Sequence, residues 1–148
     1  MKIRVQKEDF DTEAEIAKLL GTGSGAGAVV SFRGLVRDDN PENPLKALML
    51  EHYPEMTTSA IEAIAREAEQ KWSIIDGLVI HRYGRLLPGE NIVLVAVASS
   101  HRSEAFEAAN FLIDWLKTKA PFWKKEERED GDLWVGASAA DEDAAERW

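Results

Sequence analysis

The segment NIVLVAVAS, residues 91–99, constrains this chain more than any other stretch. Apolar side chains occupy both of its alternating faces, and a strand of that kind lies centrally in a sheet. GLVIHRYG, residues 77–84, precedes it as a second strand, and the turn between them contains Pro88 and Gly89. Residues 2–6, KIRVQ, alternate polar and apolar like a short edge strand.

Helical patterns interleave with these strands. Between residues 57 and 72, Ile61, Ile64, Ala65, Ala68 and Trp72 recur at helical spacing among charged residues, which predicts an amphipathic helix packed on a sheet. A last long helix is expected over 103–118, with Phe106, Ala109, Ile113 and Leu116 as its inner stripe. Pro121 forces the residue before it out of helical geometry, so this helix ends by about Lys119. TEAEIAKLLG predicts a short first helix, with Thr12 and Glu15 at capping-box spacing and Gly21 where a C-terminal cap belongs.

The glycine-rich run GTGSGAGA, residues 21–28, leaves a helix and opens a strand. A dinucleotide fingerprint runs in the opposite order, so the run reads as a connector. In the strand over 28–37, Val30, Phe32 and Val36 face a core, while Ser31, Arg33, Leu35 and Arg37 face the other way. The loop DDNPENP follows, then a strand over 45–53, and a hairpin is expected to join the two strands. LWVGAS, residues 133–138, suggests a final short strand, and DEDAAERW an acidic turn or tail. Hairpins mixed with helices favour an α+β fold over a doubly wound parallel sheet. At 148 residues, a single domain spanning 1–148 is expected.

Composition removes several classes of function. A net charge of -9 opposes general binding to nucleic acid or to an anionic membrane. No apolar run approaches the roughly 18 residues of a transmembrane helix. MKIRVQKEDF lacks the apolar stretch of a secretory signal, so a cytoplasmic location is expected. Cysteine is absent from the sequence, which excludes disulfides, thiolate metal sites and a cysteine nucleophile. Any sulfur this chain handles is carried by another molecule.

Two clusters point to an anionic ligand. WLKTKAPFWKK gathers Lys117, Lys119, Lys124 and Lys125 around a proline and two aromatics. Lysines in the last turn of a helix complement its dipole, which accounts for Lys117 and Lys119 but not for Lys124 and Lys125 beyond the proline. The second cluster is SSHRSEAF, where His101 and Arg102 stand at a strand-to-helix junction whose free N–H groups favour an anion. About 15 residues separate the clusters, roughly 22 Å of helix. A two-fold dimer could bring the start of one helix to the end of its mate. Glu51, His52 and His81 match no metal-ligand spacing and read as structural, and no serine sits in a nucleophile elbow.

GAVVSFRGLVRD, LEHYPEMT, SSHRSEAFEAANFLIDWLKTKAPFWKKE and the terminal RW together resemble the large, catalytic subunit of molybdopterin synthase, from about Gly27 to Trp148. The resemblance implies an α/β-hammerhead fold with an additional small antiparallel sheet; no bound cofactor or metal is expected. It also implies a homodimer in which each protomer binds a small ubiquitin-like sulfur-carrier subunit, giving a heterotetramer. The carrier's C-terminal thiocarboxylate would deliver sulfur to cyclic pyranopterin monophosphate, forming the dithiolene of molybdopterin. By the same resemblance, Lys117 and Lys124 are the catalytic lysines. Leu35, Val36, Arg37, His101, Arg102, Lys125 and Glu126 would line the substrate pocket, with the His-Arg pair supplied by the opposite protomer. The alternative from another class is a dimeric pterin- or nucleotide-phosphate-binding module without catalysis.

Overall fold

The computed structural model describes residues 1–21 and 24–148. The connector expected over 21–28 therefore falls partly on Thr22 and Gly23, which lie outside the described residues. In chain order the elements are β1 (Lys2–Gln6), α1 (Thr12–Leu19), β2 (Ala28–Leu35), β3 (Leu45–His52), α2 (Pro54–Lys71), β4 (Ile74–Arg82), β5 (Gly84–Leu86), β6 (Asn91–Ser99), α3 (Arg102–Thr118), β7 (Phe122–Arg128), β8 (Gly131–Val135) and α4 (Ala139–Ala145). The fold is α+β, with two four-stranded sheets. Among the described residues, no helix is long and apolar enough to cross a membrane.

The first sheet has the order β1-β4-β6-β2, with β1 parallel to β4 and the other pairs antiparallel. NIVLVAVAS is β6, an inner strand with helices over both faces. Val95 and Val97 enter a core with Ile61, Ala68 and Leu112 from α2 and α3. Leu94 and Ala96 point the other way, into a smaller core with Phe10 and Leu19 beside α1. This two-sided burial is what the unbroken apolar pattern requires.

The second sheet, β5-β3-β7-β8, is antiparallel throughout. Its core is formed by Val36, Leu45, Leu48, Leu50 and Leu86. The hairpin expected between β2 and β3 does not form, because the two strands belong to different sheets. The proline-punctuated loop crosses from one sheet to the other, and Arg128 donates to Asn43 O at 2.6 Å to hold it. Val36, just past β2, carries the chain into the second core.

The α3 stripe differs from expectation at one position, Phe106; Ala109 is buried and Ile113 and Leu116 pack against the core as expected. Phe106 is 56% exposed, while Ala105, Ala108, Ala109 and Leu112 are buried. Three alanines on this face allow the helix to approach the sheet closely, and the buried face is rotated away from the larger phenyl ring. Asp11, not Thr12, caps α1: its Oδ1 accepts from Ala14 N at 3.0 Å, and Glu15 pairs with Arg4 instead of closing a capping box. Leu20, not Gly21, is the C-cap.

The charged run after Pro121 is a strand, β7, and the acidic C-terminal segment is helical. Ser138 caps α4 in a capping box with Asp141. Beyond α4, Arg147 and the Trp148 indole N–H both donate to Asp114 Oδ2 of α3, at 2.7 and 2.8 Å. Trp148 packs edge-on against Trp72 and Phe111. These contacts fix the end of the chain beside the C-terminal half of α3.

Candidate functional site

Between the end of α3 and the start of β7 the chain turns within Lys119–Pro121, and a cavity of about 400 Å³ opens there. Lys117 from α3 and Lys124 from β7 both line it, so the cations flanking the proline converge on one space. The pleat explains Lys124: residues two apart share a strand face, so it lies on the same face as Phe122. Phe122 is turned inward and stacks on His81 of β4, with ring centroids 3.8 Å apart and planes at 17°. His52, opposite Phe122 in the β3–β7 register, lies beside the same ring at 5.8 Å. Trp134 of β8 and Glu142 of α4 complete the walls that matter chemically.

The two lysines are in different electrostatic settings. Lys117 is 44% exposed on its side chain and pairs with Asp141 Oδ1 at 3.2 Å. Burial pushes the Lys124 ammonium below its ordinary pKa, the Lys117 charge pushes it further, and Asp141 partly offsets both. Burial alone would raise the Asp141 carboxyl, but hydrogen bonds from Ser138 and Lys117 and the Lys117 charge outweigh it and hold the group below its usual value. At the floor, burial lowers the His81 pKa to about 4, with a bond to the Arg82 carbonyl opposing and the Lys124 and His52 charges assisting. Burial also lowers the pKa of His52.

This arrangement can hold an anionic group between two ammonium ions. It can also stabilise a developing negative charge through Lys124, whose partly desolvated ammonium is little screened by solvent.

The remaining residues singled out from the sequence do not line this cavity within one chain. Lys125 is on the opposite face of β7, 4.0 Å from Asp132 Oδ2 and with its ammonium 5.6 Å from the Trp134 ring centroid. Glu126 shares the Lys124 face but is bonded to Arg128 Nε at 2.8 Å. Arg37 is exposed and paired with Asp39 at 3.1 Å. Leu35 is 44% exposed, whereas Val36 is buried at 3%. Both backbone polar groups of Val36 are engaged, its N–H by Glu90 O and its carbonyl by Gly89 N–H. His101 is the N-cap of α3 and Arg102 its first residue, both exposed. Within the 17-residue α3, about 22 Å of helix separates Arg102 from Lys117.

Sequence reasoning missed His81, Asp141 and Glu142. His81 sits in an ordinary strand pattern, and nothing local marks its contact with Phe122. Asp141 and Glu142 were submerged in an acidic run; the capping-box spacing of Ser138 and Asp141 was the available signal that the run is a helix. Among the described residues, no group of three or more His, Cys, Asp or Glu side chains is placed to hold a metal.

Residues 5–119 match the family model described as MoaE protein. The chain belongs to the MoaE family. Its relatives include proteins named molybdopterin synthase catalytic subunit. That from Mesorhizobium japonicum is 55% identical over 99% of this chain and 92% of its own length. That from Cereibacter sphaeroides is 54% identical over the whole of both chains. Among solved structures, a molybdopterin biosynthesis MoaE protein from Burkholderia ambifaria superposes with a TM-score of 0.84 at 48% identity, covering 99% of this chain and 97% of that one.

Proposed function

We propose that this chain is the catalytic subunit of a molybdopterin synthase. In this role it catalyses transfer of sulfur from the C-terminal thiocarboxylate of a small ubiquitin-like carrier subunit to cyclic pyranopterin monophosphate, building the dithiolene of molybdopterin. The observation that carries the reading is the convergence of Lys117 and Lys124 on one cavity. A thiocarboxylate is an anion, and two ammonium groups on facing walls suit it. Lys117, the more exposed, shuttles a proton; Lys124, the more desolvated, stabilises the negative charge that develops during transfer.

The pterin subsite comprises Leu35, Val36, Arg37, Lys125 and Glu126 together with His101 and Arg102. The length of α3 supports a homodimer in which His101 and Arg102 of one protomer serve the cavity of the other. With one carrier per protomer, the assembly is a heterotetramer. The chain acts as a single domain over 1–148, in the cytoplasm.

Reconstitution tests this reading. The chain is mixed with a thiocarboxylated carrier and cyclic pyranopterin monophosphate, and the product is assayed for the dithiolene. Absence of product with a carrier competent toward another MoaE protein sinks the proposal.

A further inference from the structure

The roles assigned above do not use His81, Glu142 or the Trp134 indole, and of these His81 is the one held in a fixed orientation at the floor of the cavity. His81 is 5% exposed and lines the cavity floor. Its Nδ1 lies 2.9 Å from the carbonyl oxygen of Arg82. A carbonyl only accepts, so Nδ1 carries the proton, and in the neutral ring Nε2 keeps a lone pair. The stack on Phe122 fixes the plane of the ring.

Among the described residues, Thr12 Oγ1, His52 Nδ1 and Thr57 Oγ1 are the side-chain polar atoms sealed from solvent without a partner. His81 Nε2 also has no protein partner among them, yet it is not sealed. That edge of the ring is therefore the one that meets the cavity.

The demands of the cavity can be stated as a ligand. Lys117 and Lys124 are donors and call for an anion. Nε2 is an acceptor and calls for an N–H or O–H. A polypeptide terminus meets both, because its last peptide N–H lies a few bonds from the terminal carboxylate or thiocarboxylate.

We propose that His81 is a recognition residue whose Nε2 accepts a hydrogen bond from the last peptide N–H of the carrier tail, setting where the anionic end lies relative to Lys117 and Lys124. The inference rests on the carrier reading above. With a pKa of about 4, the ring stays neutral at neutral pH, which preserves the acceptor. So weak a base is a poor destination for an ammonium proton, and that separates this role from general-base catalysis.

The test uses a semisynthetic carrier ending either in glycine or in N-methylglycine, a change that removes the N–H and keeps the terminal anion. Each form is titrated calorimetrically against the wild-type chain, His81→Phe and His81→Gln. Wild type is expected to bind the N-methyl form about tenfold more weakly, about 1.4 kcal/mol, within the range of one neutral hydrogen bond. His81→Phe keeps a ring against Phe122 and should bind both forms within about twofold of each other. His81→Gln restores an acceptor and should recover part of the discrimination.

An equal N-methyl penalty in wild type and His81→Phe overturns the inference and leaves the carrier reading standing. So does the absence of any penalty in wild type, a comparison that needs no variant. Failure of the glycine form to bind wild type overturns both.

Discussion

Gly27→Ala tests whether the start of α3 takes part in the reaction. Gly27 donates its N–H to Ser99 O at 3.0 Å, and a Cβ built on it would lie 2.4 Å from the carbonyl oxygen of Ser100. Ordinary contact begins at about 3.4 Å, so Ser100 has to move by about 1 Å. The obstacle is backbone, which cannot rotate aside as a side chain can, and the next residue is His101. Overpacking of this kind costs about 1–3 kcal/mol. For a chain of this size that lowers the melting temperature by roughly 2–12 °C.

The functional effect is predicted to exceed the thermal one. A displacement of about 1 Å in a positioning group can reduce turnover about a hundredfold. The cavity between α3 and β7 lies at the far end of the helix, so carrier affinity should stay within about twofold of wild type. The assays are dithiolene formation in the reconstituted system, carrier titration and a thermal melt. Turnover within twofold of wild type, despite a lowered melting temperature, would refute the role given to His101 and Arg102.

Other perturbations address the lysines. Lys117→Arg keeps a cation at the end of α3 but alters the reacting group; carrier binding should persist and single-turnover sulfur transfer should fall at least a hundredfold. Lys124→Met should abolish transfer while raising stability at pH 7 by about 0.5–2 kcal/mol, because the folded state no longer holds a desolvated ammonium. The folded pKa of Lys124 lies below its ordinary 10.5, so that penalty is full below the folded value and fades as pH rises toward 10.5. The melting-temperature gain of the methionine variant should therefore shrink between pH 7 and 10. Asp141→Asn removes the charge that raises the Lys124 pKa, so the limb of the pH–rate profile governed by Lys124 should move to lower pH.

Patterns decided by one strand or helix were readable in advance. The apolar faces of β6 sufficed to place it inside a sheet, and Pro121 sufficed to end α3. What depended on distant residues was not readable. Nothing in Val30 or Leu48 says that β2 pairs with β6 and β3 with β7, since each strand has one face fit for either neighbour. On α3 only Phe106 fell on the wrong side, because a phenylalanine outranks an alanine in hydrophobicity, yet close helix–sheet packing selected Ala105 and Ala108. Lys117 and Lys124 were conspicuous as charges out of place in an acidic chain. The imidazole beneath them was inconspicuous, because its partner Phe122 is 41 positions away and on the other sheet.

Apart from His81, every residue lining the lysine cavity lies between Leu116 and Glu142. The pocket is thus almost wholly local in the chain: a helix end, a turn, a two-stranded ribbon and a short helix closing over them. Its loop-closure entropy is small, so its walls can assemble quickly once α3 has docked. It can also open as a piece, with β8 and α4 swinging away while the β4–β6 ladder stays shut. The backbone amides of β8 and α4 should then exchange with solvent together and sooner than those of β6, and a bound ligand should slow them as a group.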